Sequence, residues 1–460
     1  MYQIDFEQPK RIHFIGIGGI SMSGLAEILI TEGFRVSGSD SNRTRLTEHL
    51  QALGAEVFIG QRAQNITDDI EVVVYTAAVH PDNPEYAATV EKGIPILSRA
   101  ELLGQLMKNY GEAIAVSGTH GKTTTTAMIS EILLTAGKEP TISIGGIMPS
   151  IGGNIRVGGS DCFVTEACEY TNSFLHFFPT TAVILNVRED HLDFFKDLQE
   201  IRDSFRQFSE LIPEGGLLVI NRDIQGLEEL IDGLVCRVET YSVDDTEADY
   251  YAGNLVMDED ACGTFDVMRH GESMGRISLK APGTHNVANA LAAIAVADSM
   301  GVCLEDMQVG FDRFQGVQRR FEKKGVVGGV EVFDDYAHHP DEIRATLTMA
   351  NQVKKGKLWC VFQPHTYTRT KSFLAEFAEA LSLADEVVLA KIYAAREVDT
   401  LGVSSEDVAR LLRQMGKKAT YLETFGEIED FLLQNCVHSD LLITMGAGDV
   451  VKVGESLLGK

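Results

Sequence analysis

The chain has 460 residues, of which 44% are hydrophobic and 23% are charged, as in an ordinary globular protein with room for about three domains. A net charge of −27 disfavours binding to nucleic acid or to anionic membranes, so no nucleic-acid partner is expected. The N-terminus lacks the apolar core of a signal peptide, no stretch is apolar enough to span a membrane, and the cysteines form no CxxC pair. We therefore expect a cytoplasmic protein with reduced thiols and no membrane insertion.

The first predicted elements are a strand, a glycine loop, a helix and a second strand. The strand 11–15 runs into Gly16-Ile17-Gly18-Gly19-Ile20-Ser21, and the second strand ends at Asp40. This order is close to the dinucleotide-binding fingerprint, in which a glycine loop holds a pyrophosphate. Because Ser21 replaces the third glycine, the residues fit an NAD-type ligand, a UDP-sugar, or a glycine turn without a ligand.

Further strands and helices follow up to about residue 107 and predict a doubly wound sheet. Ligands of such sheets bind at the carboxyl ends of the strands, so polar residues at that edge become candidates for contact with the nucleotide. These candidates are Gly16, Gly18, Gly19, Ser39, Asp40, Thr76, His80 and Asn83.

The stretch 113–126 predicts a phosphate-binding loop between an apolar strand and an amphipathic helix. In such a loop, backbone N–H groups converge on phosphate oxygens, a lysine approaches the β- and γ-phosphates, and the next hydroxyl reaches Mg²⁺. The loop is shorter than the usual form, which has a glycine four residues earlier. Its predicted residues are Gly118, Thr119, His120, Gly121, Lys122, Thr123 and Thr124.

Two strand ends after this loop carry groups that suit a metal ion beside a phosphate chain. Glu166 follows the strand 161–165, and His191 follows the strand 181–186. Oxygen ligands suit Mg²⁺, whereas a histidine ligand is less typical. On the first turn of a later helix, His285, Asn286 and Asn289 either read the edge of a purine or cap the helix.

From about residue 317 the strand–helix alternation resumes, and four strands end in polar or glycine-rich stretches. These stretches are 334–340, 364–370, 391–397 and 445–449. Because the carboxyl ends of parallel strands meet at one edge, we expect one rim of this sheet to carry chemistry.

Taken together, these stretches resemble the Mur ligase superfamily of ATP-dependent amino-acid ligases. The resemblance covers nearly the whole chain and rests on motifs in a fixed order. They are GIGGISMSG (16–24), SGTHGKTTTT (117–126), EDHLD (189–193), PGTHNVANALAA (282–293), DDYAHHP (334–340), QPHTYTRT (363–370) and MGAGD (445–449). The resemblance implies an α/β fold of three domains, namely a Rossmann-like UDP-sugar domain (1–107), a central P-loop ATPase domain (108–316) and a C-terminal Rossmann-like domain (317–460).

The resemblance also implies a reaction in the synthesis of peptidoglycan precursors. ATP would phosphorylate the lactoyl carboxylate of UDP-N-acetylmuramate, and L-alanine would attack the resulting acyl phosphate. Within the family, the alternative is a recycling ligase that joins a whole murein tripeptide to the same sugar. An NAD-dependent dehydrogenase, or a P-loop switch protein without an acceptor substrate, would leave most of the motifs unexplained.

The same resemblance implies roles for particular residues. Thr123, Glu166 and His191 match the family's magnesium positions, and His285, Asn286 and Asn289 match its contacts to adenine. Arg320 and Asp335 would close over the nucleotide, while Tyr336, His338 and Arg369 fall where the family recognises the amino acid. The implied catalytic residues are Lys122, His191, His338 and Arg369.

Two stretches depart from the family's usual pattern. The family often has EADESDASF where this chain has Cys168, Glu169 and Tyr170 after Glu166, which leaves open whether Glu169 shares the metal. Thr366 stands where the family often has an arginine, so Arg369 would carry more of the binding of the amino-acid carboxylate. The choice of alanine over glycine or serine is left open by that exchange.

Overall fold

The computed structural model describes residues 2–76, 78–159, 161–191, 194–395 and 397–460, so Leu192 and Asp193 of the EDHLD motif lie outside the described residues. The chain divides into two compact units. The large unit comprises residues 1–255, 264–280 and 285–315, and the small unit comprises residues 256–263, 281–284 and 316–460. Three β-sheets with helices confirm the predicted α/β class.

The first sheet is parallel and has the strand order β3-β2-β1-β4-β5. Its strands are β1 (Arg11–Ile15), β2 (Arg35–Asp40), β3 (Glu56–Ile59), β4 (Val72–Tyr75) and β5 (Ile96–Ser98), and its helices are α1 (Ile20–Thr31), α2 (Arg45–Ala52), α3 (Pro84–Glu91) and α4 (Arg99–Met107). Because the strands are parallel, the glycine loop after β1 and the residues after β2 and β4 lie at one edge.

The second sheet has ten strands in the order β15-β14-β13-β12-β11-β10-β6-β9-β7-β8. The strands are β6 (Glu112–Ser117), β7 (Thr141–Met148), β8 (Gly153–Arg156), β9 (Cys162–Glu166), β10 (Thr181–Ile184), β11 (Leu217–Asn221), β12 (Arg237–Ser242), β13 (Tyr250–Met257), β14 (Cys262–Arg269) and β15 (Glu272–Pro282). The helices are α5 (Lys122–Thr135), α6 (Leu198–Ser209), α7 (Leu227–Ile231), α8 (Thr284–Ser299) and α9 (Leu304–Arg313), with a 3-10 segment at Tyr170–His176. The central strand β6 lies between β9 and β10, whose ends carry the predicted metal positions.

The first and second sheets share one hydrophobic core. Leu102 and Leu106 of α4 belong to the same buried cluster as Phe174, Phe205 and Phe208 of the second sheet's helices. At the middle of α4, Gly104 lies so close to the backbone carbonyl of His176 that an added Cβ would overlap it. A glycine in a helix interior is unfavourable by itself, so the close approach of the two backbones explains why it is there.

The third sheet forms the centre of the small unit, in the order β16-β17-β21-β18-β19-β20. Its strands are β16 (Glu322–Val327), β17 (Val330–Asp335), β18 (Leu358–Phe362), β19 (Glu386–Leu389), β20 (Lys418–Tyr421) and β21 (Leu441–Met445), and its helices are α10 (Pro340–Val353), α11 (Tyr367–Ser372), α12 (Leu374–Leu381), α13 (Ser405–Gln414), α14 (Phe425–Asn435) and α15 (Val451–Leu457). The strand ends Asp335, Met445, Phe362 and Leu389 are aligned in parallel register. The predicted rim of polar strand ends is therefore confirmed.

None of the helices among the described residues has the length and apolar character needed to cross a membrane.

Candidate active site

The glycine loop after β1 is fixed to the end of β2. The N–H groups of Gly16 and Ile17 donate to the carbonyl oxygen of Ser39, at 2.8 and 2.9 Å. The N–H of Gly18 donates to Oδ2 of Asp40 at 2.9 Å, and a Cβ on Gly18 would lie 2.8 Å from that oxygen. Asp40 thus anchors the loop, and Gly18 leaves the space that this anchor needs.

Ser39 joins a buried polar cluster beneath the same edge. Its hydroxyl donates to Oε2 of Glu85 at 2.5 Å, and Nε2 of His13 lies 3.6 Å from that carboxylate. His13 and Glu85 are both fully buried. Burial raises the pKa of Glu85, but the nearby His13 imidazole and the hydrogen bonds from Ser39 and Asn65 outweigh it and lower the pKa below its ordinary value. This pair leaves no signal in the sequence, because one acid and one imidazole in separate elements form no local pattern.

The other residues predicted to contact the UDP-sugar have different structural roles. A Cβ on Gly16 would lie 2.8 Å from Cγ2 of Thr76, so the turn passes close to the end of β4. Asn83 is the N-cap of α3 and accepts from the N–H groups of Glu85 and Tyr86. His80 is exposed at the same edge.

The phosphate loop has the conformation that only glycine adopts easily. Gly118 and Gly121 have φ angles of 140° and 88°. A Cβ on Gly118 would lie 2.9 Å from Cβ of Leu185, and one on Gly121 would lie 2.9 Å from Oδ1 of Asn289. Both glycines are therefore required by conformation and by space, and α5 begins directly after them at Lys122.

Asn186, which follows β10, forms hydrogen bonds to the backbone of the phosphate loop. Its Oδ1 accepts from the N–H of His120 at 2.8 Å, and its Nδ2 donates to the carbonyl oxygen of His120 at 3.0 Å. The carbonyl oxygen of Asn186 accepts from the N–H of Thr119 at 3.1 Å. The strand ending at this residue was predicted, but nothing in its sequence indicated that an amide would form both bonds to the loop.

Lys122 is folded back onto its own loop and paired with Glu169. Its Nζ donates to the carbonyl oxygens of Gly118 and Thr119, at 2.6 and 3.1 Å, and to Oε2 of Glu169 at 3.0 Å. Burial lowers the pKa of Lys122, but Glu169 and then Cys168 and Glu166 raise it above the ordinary value overall. Lys122 therefore carries its positive charge at all physiological pH values.

His191 faces Glu169 and Asp190. Its Nε2 lies 3.9 Å from Oε1 of Glu169 and 3.7 Å from Oδ2 of Asp190, while Oε1 of Glu166 accepts from the N–H of Gly145 at 2.5 Å. Among the described residues, no group of three acidic, histidine or cysteine ligand atoms within 4.8 Å of one another includes Glu166 or His191. The role of these residues as metal ligands remains a prediction, as does a share of Glu169 in the same site.

The segment that follows Glu169 has an unusual backbone and an aromatic contact to His191. Thr171 and Asn172 both have positive φ angles, 54° and 57°, and so does His191 at 54°. Tyr170 stacks on the His191 ring, with centroids 4.4 Å apart. Left-handed conformations of such residues are uncommon and cluster at functional sites.

The predicted adenine-side residues lie on the first turns of α8. Nδ2 of Asn289 donates to Oδ1 of Asn286 at 3.1 Å, and both side chains are buried. Since Asn289 is also the residue that a side chain at Gly121 would meet, α8 approaches the phosphate loop at this point. His285 is exposed beside them.

In the small unit, Asp335 organises the backbone at the end of β17. Its Oδ1 accepts from the N–H of Ala337 at 2.7 Å and its Oδ2 from the N–H of Phe321 at 2.8 Å. Burial raises the pKa of Asp335 to about 6, although Arg320 lowers it. The carboxylate thus fixes the chain around Arg320, and its predicted contact with a nucleotide remains a prediction.

Two neighbouring arginines precede β16 and have different surroundings. Arg319 donates to Oδ2 of Asp334 at 2.9 Å and to the carbonyl oxygens of Gly446 and Gly448, at 2.7 and 3.0 Å. Arg320 lies 3.8 Å from Glu342. Arg319 therefore holds the MGAGD loop, a role that the sequence analysis did not assign, whereas Arg320 is the less constrained of the two.

His338 lies at the rim of the third sheet, close to both acidic and basic side chains. Its Nδ1 lies 3.4 Å from Oε2 of Glu342, and its ring lies 6.0 Å from that of His365. Burial lowers the pKa of His338, Glu342 opposes this, and Arg369 and Arg320 lower the pKa further. The imidazole is therefore neutral at neutral pH, as a general base must be.

Arg369 is a half-buried cation on α11, beside His338 and His365. Arg369 lowers the pKa of both histidines, and no carboxylate among the described residues forms an ion pair with it. Thr366 is the N-cap of α11, has a φ angle of 63°, and its hydroxyl accepts from the N–H of Arg369. The guanidinium is available for a carboxylate of a ligand.

Three family models match consecutive parts of the chain. The one described as Mur ligase family, catalytic domain, matches residues 11–111. The Mur ligase middle domain matches residues 116–297, and the model described as Mur ligase, glutamate ligase domain, matches residues 319–448.

Curated relatives and solved structures extend this similarity over the full length. UDP-N-acetylmuramate–L-alanine ligases from Lachnospira eligens and Agathobacter rectalis are each 57% identical, with 100% of both chains covered. The crystal structure of a UDP-N-acetylmuramate–alanine ligase from Thermotoga maritima has a TM-score of 0.80 at 33% identity, covering 98% of each chain. A murein peptide ligase from Psychrobacter arcticus has a TM-score of 0.71 at 25% identity, also covering 98% of each chain.

Proposed function

Because the chain belongs to the Mur ligase family, we propose that it joins L-alanine to the lactoyl carboxylate of UDP-N-acetylmuramate at the expense of ATP, in peptidoglycan precursor synthesis. The observation that carries the proposal is the full-length identity of 57% with curated ligases of this name. A recycling ligase for murein tripeptide is not favoured, because the curated relatives matched over the full chain are named as L-alanine ligases. Because the reaction uses ATP and a sugar nucleotide, we place it in the cytoplasm.

The proposed domain roles follow the three sheets. We assign residues 1–107 to the UDP-sugar, 108–316 to ATP, and 317–460 to the amino acid and to closure over the nucleotide. The glycine loop anchored by Asp40 supports the first role, and the loop from Gly118 to Lys122 supports the second. The residue boundaries remain predictions.

The first chemical step transfers the γ-phosphoryl group to a lactoyl carboxylate oxygen, which forms an acyl phosphate and releases ADP. Two anions meet in this step, so positive charge must be placed between them. Lys122 is charged and would turn from Glu169 and its loop carbonyls to the phosphates. Asn186 would hold the loop in position through its bonds to the backbone of His120.

The residues around Lys122 also suit Mg²⁺. The carboxylates of Glu166 and Glu169 both raise the pKa of Lys122. When the lysine turns to ATP, these two carboxylates would be able to bind a metal cation in its place. Thr123, Glu166 and His191 would hold the ion, with Glu169 as a further oxygen donor. When bound, it would neutralise charge on the phosphates and hold the reacting oxygens in line.

In the second step, the alanine nitrogen attacks the acyl carbon, the C–O bond to phosphate breaks, and inorganic phosphate leaves. Arg369 would bind the alanine carboxylate, because its guanidinium has no acidic partner among the described residues. Neutral His338 would accept the proton that the amine loses, with Tyr336 against its ring.

The proposal is tested by phosphate release from Mg-ATP with the two acceptors added singly and together. Release that needs both UDP-N-acetylmuramate and L-alanine, with a product heavier by one alanyl residue, supports it. Release with the sugar and murein tripeptide but not with alanine assigns the protein to recycling. Release that is independent of the sugar overturns the proposal.

The role of His338 predicts a pH dependence. A base must be neutral, so kcat/KM for L-alanine should fall as the pH drops through the lowered pKa of His338, below the ordinary value of about 6.5. Glu342→Gln removes the carboxylate that raises this pKa, so the acid limb should move to lower pH. Glutamine keeps the capping contacts of α10, and Glu376→Gln, at an exposed position of α12, is the control. An acid limb that stays in place or moves upward contradicts the assignment.

A further inference from the structure

Arg99 is a half-buried cation without an acidic partner. It is the first residue of α4, and its Nη1 donates to Oγ of Ser21 at 3.2 Å. Among the described residues, no carboxylate forms an ion pair with it. Cys168 also lies close enough to act on its charge. Arg99 therefore faces polar and ionisable groups but lacks a counterion.

The nearest carboxylate along the chain is engaged elsewhere. Oε2 of Glu101 accepts from the N–H of Ser98 at 2.7 Å and completes the capping box of α4. Burial lowers the pKa of Arg99, which is the sign of a charge that has lost water without gaining a partner. A buried charge without compensation is unfavourable, so an anion at this position would be bound favourably.

Arg99 contacts the helix that follows the glycine loop and lies near Cys168 of the second sheet's domain. Ser21 is in the first turn of α1, directly after the glycine loop. On the other sheet, the Cys168 thiol is influenced by Lys122 and by Arg99. The close packing of Gly104 against His176 fixes α4 to the segment that follows Cys168 and Glu169. The position of Arg99 is thus set by both sheets.

The glycine loop itself offers few free donors. The N–H groups of Gly16 and Ile17 are bonded to Ser39, that of Gly18 to Asp40, and that of Gly19 to the carbonyl oxygen of Gly16. The start of α1 would still attract an anion, and a cation beside the loop would add to that attraction. Arg99 is the cation that reaches the residue following this loop.

We propose that Arg99 binds an oxyanion of the sugar nucleotide, an inference that rests on the proposed function. Two groups of that substrate have this chemistry, the pyrophosphate and the lactoyl carboxylate. The planar fork of a guanidinium matches either one with two parallel hydrogen bonds, which a lysine ammonium cannot do.

The test is calorimetric titration with UDP-N-acetylmuramate and with UDP-N-acetylglucosamine, which has the pyrophosphate but no lactoyl carboxylate. Arg99→Ala should weaken binding of UDP-N-acetylmuramate about 10- to 150-fold, the range for loss of a charge-assisted hydrogen bond. Arg99→Lys should lie between Arg99→Ala and the wild type. Arg35→Ala, exposed at the amino end of β2, should bind like the wild type.

The pattern of loss identifies the oxyanion. A loss confined to UDP-N-acetylmuramate assigns Arg99 to the carboxylate, and an equal loss for both ligands assigns it to the pyrophosphate. Binding of ATP should be unchanged, which separates anion binding from a general disturbance of the packing.

Two outcomes overturn the inference while the proposed function stands. One is that Arg99→Ala binds UDP-N-acetylmuramate within about twofold of wild type, a change too small for a lost charged hydrogen bond. The other is that Arg99→Ala loses as much affinity for ATP as for the sugar nucleotide. If the wild-type protein does not bind UDP-N-acetylmuramate, the proposed function is wrong and the inference falls with it.

Discussion

Replacing Lys122 with alanine should lower kcat for ligation by about 10²- to 10³-fold, the usual loss when one donor to a developing anion is removed. The affinity for ATP should fall as well, because the lysine charge acts on the phosphates before and during transfer. The measurement is phosphate release with both acceptors present. Lys138→Ala, an exposed lysine just after α5, should keep wild-type rates.

The same substitution should destabilise the protein. The carboxylate of Glu169 is almost fully buried, and Lys122 is its closest cation, at 3.0 Å. Breaking a buried ion pair by removing one partner costs about 3–5 kcal/mol, because the remaining charge is left uncompensated. We therefore expect a lower melting temperature for Lys122→Ala.

A double variant separates these two effects. Lys122→Met with Glu169→Gln removes both charges and keeps similar side-chain volumes, so most of the lost stability should return. Ligation should not return, because nothing replaces the charge at the phosphates. If the double variant ligates at a rate near wild type, Lys122 does not have the role proposed for it.

Replacing Gly104 with alanine should destabilise the large unit by about 1–3 kcal/mol or more, as overpacking does in a close-packed interior. The new Cβ would overlap the backbone carbonyl oxygen of His176, which cannot move without shifting the 3-10 segment Tyr170–His176. Chemical denaturation followed by circular dichroism measures this change.

The sign of the effect makes the test sharp. Alanine is the better helix former, so Gly→Ala in an open helical position should stabilise by about 0.4–1 kcal/mol. Gly426 in α14 is such a position, since a Cβ there would meet no atom within 4 Å. Stabilisation of both variants would contradict the close approach of α4 to His176.

The elements that the sequence predicted are those with a local signal. The phosphate loop was found because the positive φ angles of Gly118 and Gly121 leave a glycine pattern next to Lys122. The α/β class and the family were also predicted, because apolar strands alternate with helices and the motifs stand in a fixed order. The α/β class is confirmed by the sheets, and the family is confirmed by the matching family models.

What could not be predicted depends on residues distant in the chain. Asn186 holds a loop that lies 66 residues before it. Glu85 of α3 pairs with the imidazole of His13 in β1. Arg319 and Arg320 are adjacent and chemically identical, and only their partners show that the first of them holds the loop at Gly446. Such roles are set by tertiary contacts, for which a single sequence has no periodicity or spacing rule.

The shared core of the first two sheets bears on how the chain folds during synthesis. Leu102 and Leu106, on the apolar face of α4, belong to a buried cluster that Phe205 and Phe208 complete. Those phenylalanines are translated about 100 residues later, which takes roughly 5–20 s at 5–20 residues per second. During that interval the apolar face of α4 is exposed to solvent, so chaperones that bind nascent chains should bind it. For the same reason, a truncated chain that stops near residue 110 should aggregate.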